Sequence, residues 1–190
     1  MKRLLLLSLL LFSAVGHAQG NDWKRLDADE PAPAFTLTNQ DGRRVALADF
    51  RGKAVVLTFV YTECKDICPV LPQIIGRTDQ HLTPEEKKRT RFVGISIDPR
   101  RDTPEKLRGF MKNHNLSPER WTLLTGTLAE ATKAAEDYGI VVRPDVTGDL
   151  VHNAVYILID PKGRLRTEFH GLFTPTQEIA KALRKLVPKG

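Results

Sequence analysis

Residues 54–69 read Ala54-Val55-Val56-Leu57-Thr58-Phe59-Val60-Tyr61-Thr62-Glu63-Cys64-Lys65-Asp66-Ile67-Cys68-Pro69. The first seven are almost continuously apolar and rich in β-branched residues, the pattern of a strand buried on both faces and so of the centre of a sheet. The run ends at Tyr61, and the only two cysteines of the chain follow. Pro69 suits the first turn of a helix, with Leu71, Ile74 and Ile75 continuing as an apolar stripe at helical spacing. A buried strand, a thiol-bearing turn and a helix therefore stand in that order.

Downstream, strands and helices go on alternating. Thr83-Pro84-Glu85-Glu86 is a capping-box start for a short helix, and Arg91 to Ile97 reads as a second strand. Thr103 caps a helix that opens on Pro104 and buries Leu107, Phe110 and Met111. Trp121 to Leu124 is a short strand. Thr127 and Glu130 repeat the capping box, and Gly139 stops the helix they open. A polar loop, Pro144 to Leu150, leads through Val151-His152-Asn153 to a strand over Ala154–Ile159. Asp160-Pro161-Lys162-Gly163 then turns the chain into a partner strand, Leu165–Phe169, and a last helix opens at Thr174-Pro175-Thr176-Gln177. Upstream, Phe35–Leu37 and Val45–Leu47 flank Asn39-Gln40-Asp41-Gly42 as an N-terminal β-hairpin. The pattern predicts an α/β sandwich with a central mixed sheet flanked by helices. In such sheets ligands bind beyond the carboxyl ends of the strands, where Cys64 falls.

Met1-Lys2-Arg3, the apolar run Leu4 to Val15 and Gly16-His17-Ala18 have the three parts of a secretory signal, so residues 1–18 are expected to be removed. The run is shorter than the roughly 20 residues that span a bilayer; retained, it would tie the chain to the inner membrane. No cysteine follows the run, which leaves no lipoprotein anchor at this site. Residues 19–32 read as a mobile polar lead-in and 33–190 as one domain. Without Lys2 and Arg3 the net charge falls from +6 to +4, 27 basic against 23 acidic residues. Lys87-Lys88-Arg89 and Arg100-Arg101 are not interleaved with aromatics and read as solvated faces, not a nucleic-acid surface. The expected location is the periplasm or beyond, where a disulfide is the default state of paired cysteines.

Three residues separate Cys64 from Cys68. With Cys68 at a helix start the two Cα atoms stand roughly 6 Å apart, close enough for a disulfide or a shared metal. Lys65 and the positive end of the helix both favour the thiolate. As an inert bridge the pair would close too small a ring to add much stability. Two cysteines are too few for a four-cysteine zinc site, and the spacing differs from the two-residue gap of the thioredoxin redox pair. Copper binding and thiol exchange remain. Copper(I) prefers thiolates, and an imidazole would complete a trigonal site. Of the histidines after residue 18, His81 lies at the far end of the cysteine helix and His114 suits a helix C-terminus. His170, at a strand end, and His152, opening a long strand, stay open.

The chain resembles the Sco family, thioredoxin-like copper proteins that assist assembly of the copper A centre of cytochrome oxidase. The resemblance runs from about Phe35 to Lys185 and rests on Gln40-Asp41-Gly42, Asp49-Phe50-Arg51-Gly52-Lys53, Tyr61-Thr62 before the cysteine pair, Ile95-Ser96-Ile97-Asp98-Pro99 with Arg101-Asp102-Thr103-Pro104, Leu124-Thr125-Gly126-Thr127, and His152 ahead of Tyr156 to Pro161. It implies a thioredoxin-like fold and one copper ion held by Cys64, Cys68 and His152. It also implies an oxidase copper A subunit as recipient and a thiol reductant or another copper chaperone as further partner, with the chain expected to act as a monomer. Lys65, Glu63 and Asn153 depart from the proline, histidine and serine usual in the family. Two rival readings use the same cysteines: a thiol-disulfide reductase, with Cys64 attacking and Cys68 resolving, and a thiol peroxidase.

Overall fold

The computed structural model describes residues 23–25, 30–63, 70–144, 146, 149–171 and 174–187. The expected signal (1–18), both cysteines, Lys65 and the Pro69 helix start lie outside them.

Among the described residues ten strands appear: β1 (Trp23–Arg25), β2 (Thr36–Asn39), β3 (Arg44–Ala46), β4 (Ala54–Val60), β5 (Thr90–Ser96), β6 (Trp121–Thr125), β7 (Val142–Pro144), β8 (Leu150–His152), β9 (Val155–Ile159) and β10 (Leu165–His170). The helices are α1 (Val70–Gln80), α2 (Pro84–Lys88), α3 (Pro104–Asn113), α4 (Leu128–Asp137) and α5 (Thr176–Leu186). Eight strands form one sheet in the order β1-β10-β9-β4-β5-β6-β2-β3, and β7 pairs with β8 as a separate ribbon. β4, β5 and β6 are parallel, while β9 and β2 join them antiparallel. This is the mixed, helix-flanked sheet that the alternation of patterns predicts, with α1 packed against α5.

Local chemistry explains the element ends. The Asn39 side chain accepts from the amides of Asp41 and Arg43 at 3.0 and 2.9 Å, and Gly42 takes φ +77°, so the hairpin turn is closed by its own residues. Thr83, Thr103 and Thr127 each accept a hydrogen bond from the third residue of their helix. Every residue of β4, β6 and β9 is buried, which accounts for their unbroken apolar runs. In β5, a Cβ on Gly94 would stand 2.7 Å from Leu123 Cδ2, so glycine lets neighbouring side chains close over the strand.

Three readings change. Trp23–Arg25, within the stretch expected to be a mobile lead-in, pairs with β10 at the sheet edge, and Pro31 bridges Arg164. Leu47, expected in the second hairpin strand, begins a 3-10 turn to Phe50 that folds its side chain inward. Pro144 and Leu150, expected to bound a loop, are paired in the β7–β8 ribbon. Pieces this short have no periodicity of their own and are fixed by their partners.

Candidate metal centre

The strand next to β4 runs the other way, Val55 opposite Ile159 and Leu57 opposite Ile157, so the start of β9 lies beside the end of β4. Past Leu57 the Thr58 hydroxyl carries the contact on, donating to Val155 O at 2.8 Å. The chain enters β9 from β8, which ends at His152. Tyr61, the first residue beyond β4, ties the two together: its hydroxyl donates to Leu150 O at 2.8 Å, and its ring meets the His152 ring edge-on at 6.4 Å between centroids. A histidine remote in sequence is thus brought against the residue three places ahead of Cys64.

His152 is 5 % exposed, and its Nδ1 lies 3.0 Å from Asn153 O. A carbonyl oxygen only accepts, so Nδ1 carries a proton, and the ring in its neutral form has its lone pair on Nε2, the tautomer suited to a metal. Asn153, a departure from the family's usual serine, therefore contributes through its backbone; its side chain accepts from the Val141 amide. The other histidines have different surroundings. His170 sits two strands from β4, roughly 10 Å away across the sheet, with Nε2 3.2 Å from Glu168 Oε2. His114 caps α3 and packs on Phe110, and His81 meets Thr176 beyond the end of α1.

Two carboxylates of opposite character stand at Thr62 and Glu63, the residues just ahead of Cys64. Asp102 is 1 % exposed; its Oδ1 accepts from Thr62 Oγ1 at 2.6 Å and from the Thr62 amide at 3.2 Å, and its Oδ2 from Ser96 Oγ at 2.5 Å. Burial raises its pKa above the usual carboxylate range, against the pull of the Ser96 and Thr62 hydrogen bonds. Glu63 is exposed. Lys106 Nζ at 2.8 Å, and secondarily Arg101 Nη1 at 3.1 Å, hold its pKa below that range. The carboxylate next to Cys64 is thereby turned toward α3 and neutralised.

Of the three predicted ligands the structure places His152, and it places the residues either side of the segment bearing the others, Glu63 and Val70. Among the described residues no three His, Cys, Asp or Glu side chains gather into a metal site. An imidazole packed on Tyr61, with two thiols following Tyr61 in the sequence, gives donor types that fit a soft, thiophilic ion. Residue-by-residue reading passed over Thr62, Ser96 and Asp102, which appear as adjacent only once β4 and β5 lie side by side.

The SCO1/SenC family model matches residues 24–188. A SCO1/SenC family lipoprotein from Bacillus anthracis has a crystal structure similar to this one, with a TM-score of 0.77 and 30 % identity over 87 % of this chain and 98 % of its own. BsSco, a member of the Sco family of cytochrome c oxidase assembly proteins in which a disulfide switch has been identified, gives a TM-score of 0.72 and 26 % identity over 84 % and 94 %. Arabidopsis thaliana ScoI, solved with copper bound, gives 0.69 and 25 % over 81 % and 98 %.

Proposed function

The chain belongs to the SCO1/SenC family, and from that premise we propose that it is an exported copper metallochaperone. It holds one copper ion through Cys64, Cys68 and His152 and passes it to the copper A subunit of cytochrome c oxidase. The observation that carries this reading is the placing of the His152 ring on Tyr61, with its Nε2 lone pair set by the bond from Nδ1 to Asn153 O. Two thiolates supply what copper(I) prefers, and an imidazole adds a donor that also suits copper(II). With two ligands on the segment between a strand and a helix, an incoming thiolate can replace them one at a time. The relatives solved with copper and linked to oxidase assembly support the cargo and the recipient.

A second reading, a thiol-disulfide reductase acting through the same cysteines, draws support from the disulfide switch of BsSco. It needs both thiols but not His152. Titrating reduced protein with copper(I) against a competing chelator separates the two. The chaperone reading requires one copper per reduced chain, almost none per oxidised chain, and weaker binding in His152→Ala. Equal copper retention after oxidation would remove it.

A further inference from the structure

We propose that Asp102 is a positioning residue for the cysteine pair, fixing the chain at Thr62 so that the thiol segment always leaves the sheet from one place. The inference rests on the reading that Cys64 and Cys68 act together, as copper ligands or as a disulfide.

Thr62 is two residues from Cys64, so their Cα atoms stand within about 7 Å of each other. Both polar handles of Thr62, its amide and its hydroxyl, donate to the Asp102 carboxyl. The carboxyl is oriented from its other side by Ser96 Oγ, which in turn accepts from the Asp98 amide at 3.0 Å. Asp102 directly precedes the Thr103 cap of α3, and the same stretch supplies Arg101 and Lys106 to Glu63. The two residues ahead of Cys64 are thus both held by the start of α3, one through a buried contact and one through an exposed pair. A buried acceptor with three donors holds its geometry far better than a solvated ion pair. Two thiols that bridge each other or share a metal must meet at a defined distance, and loosening one arm lowers their effective concentration.

The test is the equilibrium of the oxidised protein with glutathione. Two glutathione thiols are oxidised to one glutathione disulfide as the Cys64–Cys68 bridge is reduced to two thiols, so atoms and electrons balance. Asp102→Ala should shift this equilibrium toward the dithiol and weaken copper(I) about tenfold, the usual scale for losing a group that orients a ligand. Asp102→Asn, which keeps one acceptor oxygen for Thr62, should recover most of both. A change in global stability alone leaves the redox equilibrium where it was, because it affects oxidised and reduced forms alike. If Asp102→Ala does not fold, Thr62→Val removes one hydrogen bond without changing shape and should move both readouts in the same direction, about threefold. An equilibrium constant within twofold of wild type in a folded variant, or a shift toward the disulfide, overturns the assignment. Should wild-type protein bind no copper(I), the copper reading falls, while the glutathione equilibrium, which involves no metal, still decides on Asp102.

Discussion

Two aspartates at opposite ends of the sheet, Asp160 and Asp102, are both buried, yet their surroundings push them in opposite directions. At the β9–β10 turn burial acts upward on Asp160, but the amides of Arg164 and Lys162 and the Arg166 guanidinium at 2.7 Å outweigh it and hold its pKa low. Asp102, held against Thr62, receives hydroxyls and one amide, and burial wins. One end of the molecule uses a carboxylate to close a turn firmly. The other end keeps a desolvated carboxyl on Thr62, two residues ahead of Cys64.

The comparison breaks first at the metal. His152→Ala should weaken copper(II) ~100-fold or more, because two thiolates alone leave its tetragonal preference unmet, and copper(I) less. Disulfide exchange should stay within about threefold, since loss of the imidazole leaves both thiols in place. A variant that binds both copper states like wild type shows that His152 is not a ligand and makes His170 the next candidate. At the turn end, Asp160→Ala should cost about 2–4 kcal/mol in urea unfolding, because it leaves two amides and Arg166 without their acceptor, and should not alter copper affinity. Equal damage to copper binding would mean that the two ends are mechanically coupled.

Gly94→Ala probes the sheet between the ends. The new methyl presses on Leu123, which should cost about 1–3 kcal/mol by thermal or urea unfolding. An undiminished midpoint would mean that Leu123 moves aside freely.

The pH dependence has opposite signs at the two aspartates. With its folded pKa lowered, Asp160 contributes stability that is present above its unfolded pKa and lost as pH falls through the folded value. With its folded pKa raised, Asp102 contributes stability that is present below its unfolded pKa and lost as pH rises through the folded one. Between about pH 2 and 6, the deficit of Asp160→Asn relative to wild type should therefore shrink in acid, whereas that of Asp102→Asn should be largest there. Unfolding midpoints across that range check both, and parallel curves would erase the distinction. The smallest effect belongs to Lys106→Ala, which should let the Glu63 pKa rise toward its ordinary value, by carboxyl NMR, with the unfolding midpoint unchanged.

The central strands were legible because burial on both faces leaves a continuous apolar run, and the helix starts because threonine caps have a fixed spacing to their partners. β1, β7 and β8 were not, since three residues beside a proline or among charges acquire strand geometry only from the partner they meet. Within the site, Cys64 and Cys68 are conspicuous as residue types, whereas His152 was singled out by its place before a strand and by family resemblance. Asp102 lies in Arg101-Asp102-Thr103-Pro104, a stretch that carries the family resemblance, but nothing there assigned it a role. An aspartate ahead of a helix cap looks the same in sequence whether it faces water or Thr62, and only the parallel pairing of β4 and β5 decides between them.

The contacts around the cysteine segment join residues far apart along the chain: 40 positions from Thr62 to Asp102 and 89 from Tyr61 to Leu150. A nascent or half-folded chain would carry its thiols long before it could offer the imidazole, which arrives only with His152 at the end of β8. On the proposed ligand set, an ion held by all three donors would require the chain to be folded from β4 through β8, so that only a folded carrier would hold it fully.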